Sequence, residues 1–352
     1  MVETLNIQLQ ATESPRYQTF DFSNITFGKV CADHMFIADY DNGQWQNAKI
    51  VPYGKISFEP SIAALHYGQS IFEGMKAYSN ENGGVNIFRP IENFKRFNVS
   101  AERMCMPQIP EEIFMGGLSQ LIDLDRNWVP KKHGDSLYIR PFMFATDEFL
   151  GVRPSNSYRF MIITAPAGAY YTEPVRVKVE MHYTRSAEGG TGFAKCAGNY
   201  AGALYPSLLA QKQGYHQLLW TDAKEHKYFE ESGTMNAMFI IDNVLVTPST
   251  SDSILKGITR DSVIQLAKDW GMHVEERKVS VEEVMKAIEK GTLNEAFGVG
   301  TAATIAPIAT IQYEGIDYEL PENRSFAPKI LQALNNIKFG LTTDTHGWNF
   351  NI

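Results

Sequence analysis

Thr184-Arg-Ser-Ala-Glu-Gly-Gly-Thr-Gly-Phe-Ala-Lys-Cys-Ala-Gly-Asn-Tyr200 places a single lysine, Lys195, inside a run of small residues: Gly189, Gly190, Gly192, Ala194, Ala197 and Gly198. So many glycines are costly in helices and strands, because each loses more backbone freedom than any other residue on folding. Their use is to let backbone approach another body closely, and a ligand is one such body. A lysine crowded away from water gives up its proton more readily, and the neutral amine forms Schiff bases. Tyr200, five residues on, offers a phenol that can hydrogen-bond a group attached to that amine. The same stretch also fits a surface loop carrying a solvated lysine. Its neighbours along the chain have to decide.

Composition narrows the choice. The chain has 352 residues, which predicts two domains. It is 44% hydrophobic and 20% charged, as soluble globular chains are. A net charge of -8 and a pI near 5.6 argue against nucleic acid as a partner. No apolar run approaches the roughly 18 residues of a membrane span. Met1-Val-Glu-Thr-Leu-Asn6 has neither the basic and apolar regions of a secretory signal nor an arginine-rich leader, so a cytoplasmic location is expected. Cys31, Cys105 and Cys196 are odd in number and far apart, which suits free thiols. The histidines show no metal-ligand spacing, and no metal is expected.

Both halves mix strand and helix patterns. Residues 34–40, 85–88, 137–144 and 159–166 read as strands; 92–104 and 111–128 read as helices. Residues 165–174, rich in small residues and proline, read as a linker. Beyond it, 175–182 and 217–221 read as strands with a helix at 200–212 between them. Residues 237–246 read as a hairpin turning at Asp242-Asn243, and 262–270 and 281–290 as helices. Ser280-Val-Glu-Glu283 is a capping-box pattern at the start of the last. The class expected is α+β, or mixed α/β.

Four further clusters can carry chemistry. Phe229-Glu-Glu-Ser-Gly-Thr-Met-Asn236 sets two carboxylates before a Gly-Thr step; one, if buried, can pair with a protonated ring nitrogen, and otherwise the pair is a solvated turn. Ile254-Leu-Lys-Gly-Ile-Thr-Arg260 leads into a helix whose first N–H groups suit an anion. Phe297-Gly-Val-Gly-Thr-Ala-Ala-Thr304 offers backbone donors after a strand. Leu65-His-Tyr-Gly-Gln-Ser-Ile-Phe-Glu-Gly-Met-Lys-Ala-Tyr78 alternates aromatics with glycines, as a pocket wall or a packed core does. Of the arginines, Arg96 falls in a helix pattern where a lone basic residue is usually solvated. Arg140 interrupts an apolar strand, shares a face with Tyr138, and should be paired there with a carboxylate or an anionic ligand.

Taken in order, these clusters resemble the branched-chain amino acid aminotransferases, pyridoxal 5'-phosphate (PLP) enzymes of fold type IV. The resemblance runs from about Phe22 to the C-terminus, through residues 65–76, 137–141, 189–200, 231–236, 257–260 and 298–302. It implies a small N-terminal domain (1–169), a connecting stretch (170–183) and a larger cofactor-anchoring domain (184–352). It makes Lys195 the Schiff-base lysine, Tyr200 the hydrogen-bond donor to the ring's phenolic oxygen, and Glu231 the carboxylate on the pyridine nitrogen, with Thr234 near the ring. Arg96, the backbone N–H groups of Ile258 and Thr259, and Thr301 would hold the phosphate. Tyr67, Phe72, Lys76, Tyr138, Arg140 and Tyr170 would line the substrate pocket, and the Thr301-Ala302 backbone would hold the substrate carboxylate. The implied reaction moves the amino group of L-leucine, L-isoleucine or L-valine to 2-oxoglutarate, in a homodimer with shared sites. Where some mammalian members carry a redox CxxC, this chain has Ala303-Thr-Ile-Ala306. Aminodeoxychorismate lyase and D-amino acid aminotransferase share the lysine and the glutamate. A non-catalytic binder of a phosphorylated ligand is the reading furthest from these.

Overall fold

The computed structural model describes residues 6–168, 170–171 and 173–352. The chain divides into two compact units. The first runs to Tyr170 and takes in Ala194–Ala197 and Asn335–Ile352; the second comprises Tyr171–Phe193 and Gly198–Leu334.

The first unit is built on a sheet of nine strands among the described residues. Its order is Gln8–Leu9, Gln44–Pro52, His34–Asp41, Tyr158–Ala167, Ser136–Ala145, Met75–Ser79, Val85–Phe88 and Asn349–Asn351, with Ser70–Phe72 also paired to Ser136–Ala145. Neighbours are antiparallel except Gln8–Leu9 on Gln44–Pro52. The four strands expected here fall within a residue or two of these bounds. Helices Pro90–Arg103 and Glu111–Leu124 bury Phe97, Phe114, Leu118, Leu121 and Ile122. Rings of Phe97 and Phe114 meet each other and Phe160 of the strands, and Phe160 meets Phe36, at centroid separations of 5.4 to 6.0 Å. Each such aromatic pair adds about 1 kcal/mol beyond the area it buries.

Helix 111–128 ends earlier than its pattern predicts. Asp125 turns its carboxylate onto the backbone N–H and Nδ1 of His34 (3.0 and 2.6 Å), and Trp128 donates its indole N–H to Asp33 (2.8 Å). These buried bonds pull Arg126–Trp128 into a 3-10 turn. The expected division of the chain also differs from the units observed. Helix Phe326–Lys338 leads to strand Asn349–Asn351, which pairs with Val85–Phe88, so the last eighteen residues belong to the first unit, which holds more of the chain than the second. The stretch 170–183 contains a full strand, Val175–Glu180.

The second unit closes its sheet. Six strands form a ring: Val175–Glu180, Gln217–Thr221, Phe229–Ser232, Met235–Ile241, Leu293–Gly300 and Thr304–Tyr313, which returns to Val175–Glu180. Closure removes the open edges that such strands would otherwise expose. Val244–Pro248 and Val274–Arg277 extend it, and Ile316–Glu319 pairs outside the ring. The hairpin at Asp242-Asn243 has both residues at positive φ, 48° and 64°, the geometry of a two-residue type I′ turn. The Ser280 half of the capping box is formed: Ser280 Oγ accepts the N–H of Glu283 at 3.0 Å and opens helix Val281–Glu289, while the Glu283 carboxylate accepts from Arg277.

Two lysines lie inside the first unit. Burial lowers Lys76 to about 8 and, with repulsion from Lys76 added, lowers Lys338 to about 7. Lys338 Nζ stands 5.1 Å from the Phe88 ring and 5.6 Å from the Tyr78 ring. An unfolded lysine keeps its proton to about pH 10.4. Between pH 7 and 10 the unfolded chain therefore binds more protons than the folded one, and stability rises with pH. Lys338→Met removes this penalty. Urea unfolding should show the variant's advantage largest at pH 7 and shrinking toward pH 10; an advantage that does not change with pH contradicts the assignment.

Candidate active site

In the first unit, one face of helix Pro90–Arg103 carries Asn93, Arg96 and Ser100, spaced so that they lie one above another. Asn93 and Arg96 reach Glu73, and Ser100 reaches Lys195. Glu73 is fully buried and accepts four hydrogen bonds: from Arg96 Nε (2.7 Å) and Nη2 (2.8 Å), Asn93 Nδ2 (2.7 Å) and the Gly74 N–H (3.1 Å). Burial alone would raise its pKa, but Arg96 by charge and hydrogen bond, the charge of Lys195 and the Asn93 amide outweigh it and hold the carboxyl below its ordinary value. Arg96 is thus an almost buried member of an ion pair, 11% exposed, rather than part of a solvated face.

Lys195 is held by its backbone. Its N–H donates to Ser100 Oγ (2.9 Å), whose hydroxyl donates in turn to Arg96 O (3.1 Å), and its C=O accepts the Phe72 N–H (3.0 Å). The Cys196 backbone bridges to Ile71. The amine lies 4.8 Å from the Phe72 ring centroid. Arg140 stacks over the same ring at 4.6 Å and donates to Tyr138 Oη at 2.9 Å. Of the two partners expected, a carboxylate or an anionic ligand, no carboxylate pairs with it among the described residues; this phenol and two ring faces meet it, because the neighbouring side chains on that strand face are aromatic. The buried Nε of Arg140 has no hydrogen-bond partner among the described residues. Phe27 stands edge-on to Tyr138 and Tyr170, at 5.1 and 5.9 Å. Phe72, Tyr138, Arg140, Tyr170 and Lys195 are therefore linked through ring contacts. Tyr67 is not: it is exposed, and its hydroxyl bonds Leu150 O.

The second unit gathers the other expected residues. Glu231 is buried on strand Phe229–Ser232, opposite Asn236. It accepts the Leu255 N–H at 2.8 Å, and Arg185 Nε lies 3.0 Å from its Oε2, an ion pair without hydrogen-bond alignment. Glu230 is also buried and bonds Ser253; burial raises its pKa, with Ser253 opposing. The two carboxylates alternate across the strand and are not a solvated turn. Arg185 donates as well to Gly192 O (3.1 Å) and Ser253 O (2.9 Å), and the Phe193 N–H bonds Asp252 O (2.9 Å). A Cβ on Gly192 would collide with the Ser253 backbone. The body approached by this glycine is the chain's own 252–253 segment.

That segment leads to Gly257, the cap of helix Ile258–Asp269, which starts at Ile258, four residues earlier than its pattern predicts. A Cβ at Gly257 would collide with Asn236 Oδ1, while Asn236 Nδ2 donates to Leu255 O at 2.9 Å. Thr259 is buried in the first helical turn, and Thr234 is exposed in the turn before Met235. Gly298 and Gly300 sit inside strand Leu293–Gly300 against Met235 instead of in a loop. Thr301 and Ala302 are half-buried in the turn that follows, which ends with Thr304 at φ 61°. Positive φ at a β-branched residue is strained and typical of functional turns. Tyr200 is half-buried in the first turn of helix Ala197–Lys212.

Glu73, Ser100, Phe27 and Arg185 were not singled out from sequence, though each is bound into these clusters. Glu73 had a signal: a carboxylate inside the apolar run Ile71-Phe72-Glu73-Gly74-Met75 needs a buried cation. Helical spacing from Arg96 would have added Asn93 and Ser100.

Known proteins similar to this chain belong to one family. The model of the amino-transferase class IV family matches residues 70–311. A probable branched-chain-amino-acid aminotransferase of Staphylococcus epidermidis is 48% identical, over 94% of this chain and 94% of its own. Branched-chain-amino-acid aminotransferase 2 of Bacillus subtilis is 44% identical, over 99% of this chain and 97% of its own. Among solved structures, the T.th. branched-chain amino acid aminotransferase complexed with N-(5'-phosphopyridoxyl)-L-glutamate superposes with a TM-score of 0.73 at 27% identity, covering 89% of this chain and 97% of that one. A match that reaches from the strand beside Lys195 through the closed ring, with relatives aligned almost end to end, makes this chain a member of the class IV aminotransferases.

Proposed function

We propose that the protein is a PLP-dependent branched-chain amino acid aminotransferase, passing the amino group of L-leucine, L-isoleucine or L-valine to 2-oxoglutarate. The observation that carries this is Lys195, its peptide held on both sides and its amine set over Phe72, near the buried Glu73 that Arg96 engages. The names of the Bacillus and Staphylococcus relatives support the substrate class.

The residues present fit the cofactor. Glu231, kept among the Leu255 N–H and Arg185, is an acceptor for a protonated ring nitrogen. The helix start after Gly257 suits a phosphate through the Ile258 and Thr259 N–H groups, with Arg96 and Thr301 as further phosphate partners. PLP supplies an aldehyde that condenses with amines and a ring that accepts the electrons released when the α-carbon loses its proton. Lys195 Nζ would anchor the group and serve as the base that takes the α-proton and delivers it to the carbon of the former aldehyde. Tyr200 would donate to the phenolic oxygen, with Thr234 as a neighbour of the ring. The Thr301-Ala302 backbone holds the substrate carboxylate.

One pocket then serves an apolar side chain and a γ-carboxylate. Phe72 and Tyr170 suit the first, joined by Tyr67 from a second copy; Tyr138 and Arg140, whose Nε is unsatisfied, suit the second. The glutamate adduct of the T.th. relative supports 2-oxoglutarate as acceptor. The site is shared in a homodimer. Exposed Leu65 and Tyr67 on helix Ala63–Tyr67 are tied through the Tyr67–Leu150 bond to exposed Leu150, with Val152 beyond, an apolar surface suited to a second copy. The protein works in the cytoplasm, where its three free cysteines stay reduced.

Incubation with PLP should give a visible absorbance band that bleaches with L-leucine and not with D-alanine, and Lys195→Ala should give no band. A wild-type protein without a band sinks the functional reading; bleaching by D-alanine instead points to the D-amino acid class. Arg140→Leu should raise KM for 2-oxoglutarate roughly 10- to 100-fold, the worth of a charged hydrogen bond, and change KM for leucine far less. Equal losses for both substrates contradict that division. Leu150→Asp combined with Val152→Asp should convert a dimer to a monomer in sedimentation and abolish turnover; an unchanged sedimentation coefficient contradicts the shared-site arrangement.

A further inference from the structure

We infer that Glu73 is a positioning residue of the reaction: it fixes the Arg96 guanidinium and sets a negative charge beside the amine of Lys195. This rests on the functional reading above. The geometry lies wholly within the first unit. Glu73 has no exposed surface, and both its oxygens are engaged by Arg96, one through Nε and the other through Nη2, in the planar fork that locks a guanidinium in one orientation. Asn93 and the Gly74 N–H complete the carboxylate. The same helix that supplies Asn93 and Arg96 supplies Ser100, which holds the Lys195 N–H. Phe72, next to Glu73, holds the Lys195 carbonyl. One carboxylate thus organises the face on which both the expected phosphate ligand and the expected anchor stand.

Burying this pair adds little to stability by itself, since apolar residues of the same volume usually serve at least as well. The charged groups around Glu73 are Arg96 on the helix and Lys195 on the 194–197 segment. The Tyr138 hydroxyl adjoins Gly74, and Arg140 lies two residues further along that strand, over Phe72. A negative charge fixed close to a nitrogen stabilises its cationic form.

Two variants separate charge from positioning. Glu73→Gln keeps the shape and removes the charge. In the PLP-loaded protein, the pH midpoint at which the visible band changes wavelength should fall by about one unit. Glu73→Asp keeps the charge and withdraws it by one methylene. Its midpoint should stay within a few tenths of the parent, while the loss of PLP on dialysis should accelerate about tenfold as Arg96 loses its fork. A buried group with a purely structural role would lower Tm in either variant and move neither reading. The inference is overturned if Glu73→Gln titrates as the parent does, or, should Glu73→Gln not fold, if Glu73→Asp retains PLP as the parent does. A parent protein that binds no PLP would instead overturn the functional reading on which this rests.

Discussion

The peptide of Lys195 is gripped from both sides, by Ser100 Oγ on its N–H and by the Phe72 N–H on its carbonyl, and the site's arrangement follows from that grip. A lysine side chain has four rotatable bonds, so its amine can be aimed only if its backbone is fixed. The chain achieves this by making residues 194–197 part of the first unit, although the residues before and after belong to the second. Cys196 is buried in the same short bridge against Ile71, which explains a small side chain there.

Charge burial follows one pattern in each unit. Glu73 with Arg96, and Glu231 with Arg185, are carboxylate–guanidinium pairs lodged in the interior, each with a backbone N–H on the carboxylate. Neither would persist alone in a low-dielectric setting, where an unpaired charge costs several kcal/mol. At three other groups desolvation prevails: burial pushes Glu230 up and Lys76 and Lys338 down, each toward its neutral form.

Much of this was legible in sequence because the signals are local. Val85–Phe88 and Gln217–Thr221 have the bounds their patterns predict, Asp242-Asn243 turns as its residue types demand, and Ser280 caps as its spacing to Glu283 implies. What was not legible depends on residues far apart in the chain. Arg96 reads as solvated until Glu73, 23 positions earlier, comes to lie against it. The return of Asn349–Asn351 to Val85–Phe88 leaves no local mark, nor does the closing of the ring through Val175–Glu180. Glycines at 189–198 announced close packing but not its object, which proved for Gly192 to be the backbone at Ser253. The roles of Tyr200, Thr234 and Thr301 still come from resemblance, since half-buried or exposed positions carry no burial signal that would mark them out.

The central claim is that one particular amine forms the Schiff base. Two others, on Lys76 and Lys338, are held near neutrality by burial and are the natural competitors. Reduction of the PLP-loaded protein with borohydride, followed by peptide mass spectrometry, fixes the cofactor to whichever lysine carried it. The account predicts a single phosphopyridoxyl adduct on Lys195; an adduct on Lys76 or Lys338, with Lys195 unmodified, would contradict it.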